Sequence, residues 1–354
     1  MKVLHYLSFV LLWLAFSCVT PYNPDTQSLD GKLVVDGNVT DQPGRNGINL
    51  TLTTDYTVTG LNFLVTKATV YVIDDRGQRI SYRESTGGNY QPVDANWKGQ
   101  VGRTYTLFIQ TTDGRQYQST PQLMRAVPPI DTLYYEYTRK PGVSTQTVNK
   151  GFDLYIDTKD PATPGDYYRW RWKHYELINY CRTNEVQQGP STVIYGFYCC
   201  ETCWDIEQCY GCNNTGADTR INGNKIARQP IVRIPYNSTS RYYVEVEQES
   251  LTPEAYQYWN TVSQLTQNNG GIFDATPVPL KGNITCTNRT GELAFGFFGA
   301  SSVSLKATFV DRSKAPDTPD TRIIPIVPPG PLTPCSRCVE SPFRTQITPR
   351  FWKY

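Results

Sequence analysis

Histidine and methionine are nearly absent from this chain, at 2 of each in 354 residues. His5 falls in the first apolar stretch, so the rest of the protein has one histidine, His174. A histidine-rich metal site is thereby excluded, as is Ser-His-Asp chemistry needing a second imidazole. No G-x-S-x-G nucleophile motif is present, and no internal repeat. Net charge is only +2, which gives no electrostatic reason to expect nucleic acid or an acidic surface as partner. After the first residues no apolar run is long enough to span a bilayer. Between Cys18 and Cys181 there is no cysteine.

What is present begins with MKVLHYLSFVLLWLAFSC. Lys2 gives a short positive start, and Val3 to Phe16 is almost wholly apolar yet too short for a comfortable membrane span. That is the anatomy of an export signal. Ala15-Phe16-Ser17-Cys18 reads as a lipobox, in which the chain is cut before a cysteine whose thiol is acylated, as by palmitate. Phe16 loosens the match, leaving a plain secretory signal as the alternative. Residues 18–31 are polar and proline-broken, as a flexible tether should be. Each buried acyl methylene adds about 0.8 kcal/mol, so two or three chains anchor durably. The sequence thus predicts a signal peptide (1–17), lipidation at Cys18, and a soluble body held at a membrane.

The body reads as mainly β, with aromatics at 13% and 25 tyrosines. LVVDGNV, INLTLT, ATVYVID and TYTLFIQT alternate apolar with polar residues and are rich in Val, Ile, Thr and Tyr. Turn sequences such as Asp74-Asp75-Arg76-Gly77 separate them. Residues 32–126 therefore predict an immunoglobulin-like β-sandwich, with a boundary at Ala126-Val127-Pro128-Pro129. Residues 127–354 predict a larger antiparallel β domain with one inserted helix over 253–269. Thr252 is its N-cap, Pro253 its first residue and Glu254 an acid in the first turn. Tyr256, Trp259, Val262 and Leu265 share one stripe, which places Trp259 toward the core.

Of the 10 cysteines, setting Cys18 apart leaves nine, all from Cys181 onward. In an exported chain disulfides are the default, so Cys181, Cys199, Cys200, Cys203, Cys209, Cys212, Cys286, Cys335 and Cys338 are all disulfide candidates. An odd number leaves at least one without an intramolecular partner. Cys200-x2-Cys203 and Cys209-x2-Cys212 form two CxxC knuckles, but a zinc ribbon wants roughly 15–20 residues between them. Disulfides are therefore expected rather than a metal, and no cofactor is expected. The stretch 195–212 reads as a disulfide-pinned loop. In it Tyr195, Phe197, Trp204 and Tyr210 are binding candidates, because rigid Tyr and Trp dominate many binding surfaces.

Other constellations read as structural. Arg169-Trp170-Arg171-Trp172-Lys173 puts its cations on one face of a strand and its tryptophans on the other. Glu245 and Glu247 share a strand face and are expected to point to water. Asp157, Asp160 and Asp166 crowd a loop without an EF-hand glycine pattern.

The block SRYYVEVEQESLTPEAYQYWNTVSQLTQNNGGIFDATPVPLKGNI, with GFFGASSV, LVVDGNVTD, Cys18-x2-Pro21-Tyr22 and the ending CSRC…TPRFW, resembles a family of Bacteroidota outer-membrane lipoproteins. That family is known as a domain of unknown function (four-two-four-nine). Such proteins are typically encoded beside TonB-dependent receptors. The resemblance implies a cell-surface, outer-membrane accessory lipoprotein that docks on a TonB-dependent transporter and assists ligand capture or nutrient uptake. It supplies no catalytic residues, and none is expected. A surface polymer-degrading hydrolase or lyase, and a structural or adhesive surface protein, are the alternatives.

Overall fold

The computed structural model describes residues 31–54, 63–142, 148–209, 214–267, 280–320, 326–330 and 333–353. The signal segment, Cys18, the tether up to residue 30, Tyr210 and Cys212 lie outside the described residues.

The mainly β expectation holds. The first nine strands are β1 (Leu33–Thr40), β2 (Ile48–Leu52), β3 (Phe63–Leu64), β4 (Thr69–Asp74), β5 (Arg79–Thr86), β6 (Asn89–Pro92), β7 (Thr104–Gln110), β8 (Gln116–Ser119) and β9 (Gln122–Leu123). There follow β10 (Ile130–Pro141), β11 (Val148–Lys159), β12 (Tyr167–Gln188), β13 (Ser191–Gln208), β14 (Asn214–Ala217), β15 (Lys225–Pro235) and β16 (Tyr242–Leu251). The helix α1 (Pro253–Gln267) precedes β17 (Ile284–Cys286), β18 (Ala294–Ser301), β19 (Val303–Val310), β20 (Ile326–Val327) and β21 (Arg344–Thr345).

Strands β1–β9 lie in one eleven-stranded sheet, but β17 and β18 complete it, β18 running parallel to β1. The sheet therefore extends well past residue 126. Its apolar alternate residues, among them Val35, Leu50, Val72, Leu107 and Phe298, bury together. Asn283 ties the late strands in: its Nδ2 donates to Phe298 O at 2.8 Å and its Oδ1 accepts from Phe298 N at 2.9 Å. Gly296 has φ +86, and a Cβ there would sit 1.9 Å from Val35 O, so only glycine allows β18 to lie this close to β1.

A second sheet, β19-β16-β12-β13-β20, has β14 and β21 at its margins, and a three-stranded sheet β10-β11-β15 covers one of its faces. Phe152, Leu154, Ile156, Trp170, Val244 and Val246 form the core between them. Trp170 Nε1 donates to Gln248 Oε1 at 2.8 Å, so the indole is buried with its polar atom satisfied. β16 is buried along its whole length, on both faces. Its second face is covered by the outer surface of the first sheet, and this covering makes the cleft described below.

At the junction the chain passes from β18 into β19 through Ser302. Asp41 fixes it, accepting from Ser302 Oγ at 2.6 Å and from Val303 N at 2.9 Å.

Thr252 caps α1 as expected, Oγ1 accepting from Ala255 N at 3.2 Å. The helix is described to Gln267; residues 268 and 269 lie outside the described residues. Among its described residues only Ala255 is fully buried; Trp259 is half-buried and, with Tyr256, turns inward as expected, onto a minor cluster and not a main core. The helix rests on a small patch of Leu251, Ala255 and Phe297 at the junction of the two sheets, not on a main core.

The segment 195–212 is not a loop: to Gln208 it is strand β13, paired with β12. Cys200 bonds Cys335 and Cys203 bonds Cys338, so one CxxC pairs with the other, rung for rung. Cys200 N donates to Ser336 O at 2.9 Å and Ser336 N to Tyr198 O at 2.8 Å, laying the carboxy-terminal arm along β13. Cys181 bonds Cys199 across β12 and β13, and Cys209 is disulfide-bonded too. Cys286 is the exception and corrects the expectation: it is free and buried in the first sheet, away from the cysteines of the second.

Candidate functional site

The cleft between the first sheet and β12/β16 encloses about 500 Å³. Its floor comes from alternation in two strands. Arg169, Arg171 and Lys173 take one face of β12, and Glu249, Glu247 and Glu245 take the same face of β16. The antiparallel register sets Arg169 opposite Glu249, Arg171 opposite Glu247 and Lys173 opposite Glu245. Cross-strand pairs of opposite charge are the favourable arrangement. The expectation that Glu245 and Glu247 point to water is thus overturned: they are 2% and 5% exposed. The alternation was right, but the face they occupy is covered by the first sheet.

Two ion pairs in this set are tight. Arg169 Nε and Nη2 lie 2.7 and 2.6 Å from Glu249 Oε2. Burial alone would raise the Glu249 carboxyl, but Arg169 and Arg171 outweigh it and hold the pKa below the usual range. From the other wall Arg45 pairs with Glu247 and reaches Glu245 Oε2 at 3.5 Å, while Tyr243 Oη donates to Glu245 Oε1 at 2.7 Å. Two cations are held loosely. Arg171 Nη1 is 3.8 Å from Glu249 Oε1 and Lys173 Nζ is 4.0 Å from Glu247 Oε1, beyond hydrogen-bond reach. Burial, then Arg45 and Arg171, push the Lys173 ammonium down to about 8 against the pull of Glu245 and Glu249.

Besides Arg45, the opposite wall carries the amides Asn38, Asn49, Asn89 and Gln91 and one carboxylate, Asp36. Asn38 Oδ1 is buried and has no hydrogen-bond partner. Trp259 and Phe297 close one end. The Arg169 guanidinium lies 4.3 Å from the Trp259 ring centroid, so the same arginine is paired and stacked. Tyr258 stands edge-on to Trp259, and burial with Asp36 nearby pushes its hydroxyl up to about 12.

The sequence-based binding candidates lie elsewhere. Trp204 is 1% exposed and packs edge-on against Trp352, so it is a core residue of the disulfide-bonded region and not a contact surface. Tyr195 and Phe197 are half-buried on the β12–β13 hairpin; Tyr195 Oη accepts from Gln188 Nε2 at 3.0 Å and Arg182 sits near the Phe197 ring. Tyr210 lies outside the described residues. His174 is buried, stacks on Tyr242 at 3.6 Å and donates Nδ1–H to Tyr243 O at 2.6 Å, a structural role.

The loop aspartates regroup as Asp160, Asp166 and Asp218, with carboxylate oxygens within 4.8 Å of one another. Asp160 accepts from Tyr168 Oη and Gly223 N, and Asp218 from Gly165 N, so these groups anchor loops. Asp157 leaves this group: Arg228 N and Lys225 hold it down to about 2. The sulfurs of Cys181, Cys203 and Cys338 also converge, but all three are in disulfides and offer no thiolate.

Sequence reasoning missed Arg45, Asn38 and the joint role of the β12 cations and β16 acids. One signal was available: Arg-x-Arg-x-Lys and Glu-x-Glu-x-Glu are complementary period-two patterns on two predicted strands.

The model of the family described as Domain of unknown function (DUF4249) matches residues 19–307, and the chain belongs to that family. The match takes in both walls of the cleft and stops before the disulfide-bonded arm. No curated protein matches the chain.

Proposed function

We propose that this member of the family is a non-catalytic accessory lipoprotein of the outer membrane. It is anchored through Cys18, holds a small ligand in the inter-sheet cleft, and docks on a TonB-dependent transporter that takes the ligand up. The observation that carries the ligand-holding part is the charged cleft itself. Buried ion pairs stabilise a fold poorly compared with well-packed apolar residues. A ladder of three cations and three carboxylates around an open volume of about 500 Å³ is therefore better suited to ligand binding than to packing. The anchoring and docking parts rest on the lipobox-like start and the family resemblance.

The hydrolase reading is less favoured by the same geometry. General acid–base work needs a carboxyl group free to exchange a proton. Glu249 is clasped by Arg169 and Glu247 by Arg45.

The test is cross-linking in native membranes followed by purification through a carboxy-terminal tag. A TonB-dependent transporter recovered in stoichiometric amount supports the reading. Recovery of no such transporter, with the lipoprotein intact at the outer membrane, would overturn the docking part.

A further inference from the structure

We propose that the cleft takes a small organic acid, seating its carboxylate on Arg171 and Lys173 and accepting a hydroxyl or amino hydrogen of the same molecule at Asn38. The inference rests on the ligand-holding reading above and names the chemistry of its ligand.

Glu249 is taken by Arg169, and Glu247 and Glu245 by Arg45. Arg171 and Lys173 keep a carboxylate at 3.8 and 4.0 Å but make no hydrogen bond to it, so their donors face the cleft unused. The two residues are two apart on β12 and share a face, which sets their backbone positions roughly 6.5–7 Å apart. A planar carboxylate between them would accept from a guanidinium on one side and an ammonium on the other. Lys173 is pressed by Arg45 and Arg171 as well as by burial. An added negative charge would relieve that pressure.

Asn38 Oδ1 is buried without a partner, and buried carbonyl oxygens are nearly always paired. It is an acceptor, so its missing partner is a donor. Gly299 stands beside it, where a Cβ would come within 3.2 Å of that oxygen. Trp259 and Phe297 add an apolar end wall. An anion, a donor and a short apolar flank together describe a sugar acid, a hydroxy acid or a small acidic peptide, and these share the carboxylate-plus-donor chemistry.

The experiment is calorimetric titration of the full-length protein with D-glucuronate, citrate and alanyl-glutamate. Each is paired with a neutral counterpart that has no carboxylate: glucose, triethyl citrate and N-acetyl-alanyl-glutamine amide. At least one acid is expected to bind ten-fold or more tightly than its counterpart. Arg171→Gln with Lys173→Gln should abolish that preference without lowering the melting temperature, and Asn38→Ala should weaken the acid about ten-fold. In the wild type, the binding acid should also slow amine-directed labelling of Lys173 at pH 8, a readout that needs no variant to fold. Equal binding of acid and neutral partner would overturn the proposal while leaving transporter recovery untouched. So would no binding of any acid at millimolar concentration, or no protection of Lys173. Inorganic phosphate binding as tightly as the best acid would overturn the Asn38 part.

Discussion

Arg169 meets Glu249 through two nitrogens, Nε at 2.7 Å and Nη2 at 2.6 Å, while the flat face of its guanidinium lies over Trp259. Both partners of the pair are buried, at 6% and 2% exposure. Glu249→Leu should therefore strand an arginine in the cleft and cost roughly 3–5 kcal/mol. Replacing both residues together, Arg169→Met with Glu249→Leu, should recover much of that loss. Urea unfolding of the three variants measures it. A single-variant loss under about 1 kcal/mol would mean that Arg169 finds another partner and that the ladder is looser than described.

Two tryptophans should respond in opposite ways to truncation. Trp204 is buried and packed against Trp352, so Trp204→Ala should cost about 3–5 kcal/mol. Trp259 is half-buried at the cleft end, and Trp259→Ala should cost well under that, about 1–2 kcal/mol. Its main effect should be on ligand affinity. Equal stability losses at the two sites, read by chemical denaturation, would put Trp259 in the core after all.

Lys173 gives a pH dependence with a definite sign. Its ammonium has a pKa of about 8 in the fold against 10.5 free. Between those values the unfolded chain holds the proton more firmly, so the wild type gains stability as pH rises through the window. The cost of charging Lys173 is fully present below about pH 8. Lys173→Gln removes that cost, so its stability advantage should be greatest below pH 8 and shrink toward 10.5. An advantage that stays flat across the window would remove the pressure from Arg45, Arg171 and burial.

Peptide mapping of non-reduced protein should recover Cys200 joined to Cys335 and Cys203 joined to Cys338. Either link closes a loop of 135 residues, worth about 5 kcal/mol on the chain-entropy model, and the second adds little once the first exists. Cys286 should react with a thiol reagent only after unfolding. Bonds within each CxxC would contradict the pairing of the arm with β13.

Cys18→Ala should leave the protein uncut or released from the membrane, no longer partitioning into detergent micelles. If the variant fractionates and is processed as the wild type is, lipidation at Cys18 is wrong.

The sequence alone determined what local chemistry can determine. Strand character followed from alternation, and the helix start from Thr252, whose hydroxyl does cap Ala255 N. That Arg169, Arg171 and Lys173 share a face opposite Trp170 and Trp172 followed from a period of two. That nine cysteines could not all pair within the chain was arithmetic, and among the described residues Cys286 is free. What the sequence could not decide was which face each strand turns to another layer. Glu245 and Glu247 are polar at the spacing of a solvated face, yet the first sheet covers them, and only the long-range pairing of β1 with β18 brings that sheet there. Trp204 is fully buried and Trp259 only half-buried for the same reason: disulfides laid the carboxy-terminal arm over one, while a cleft opened beside the other. Burial depends on what lies above a residue, and contacts between strands as far apart as Leu33 and Ala294 leave no trace in the local pattern that periodicity reads.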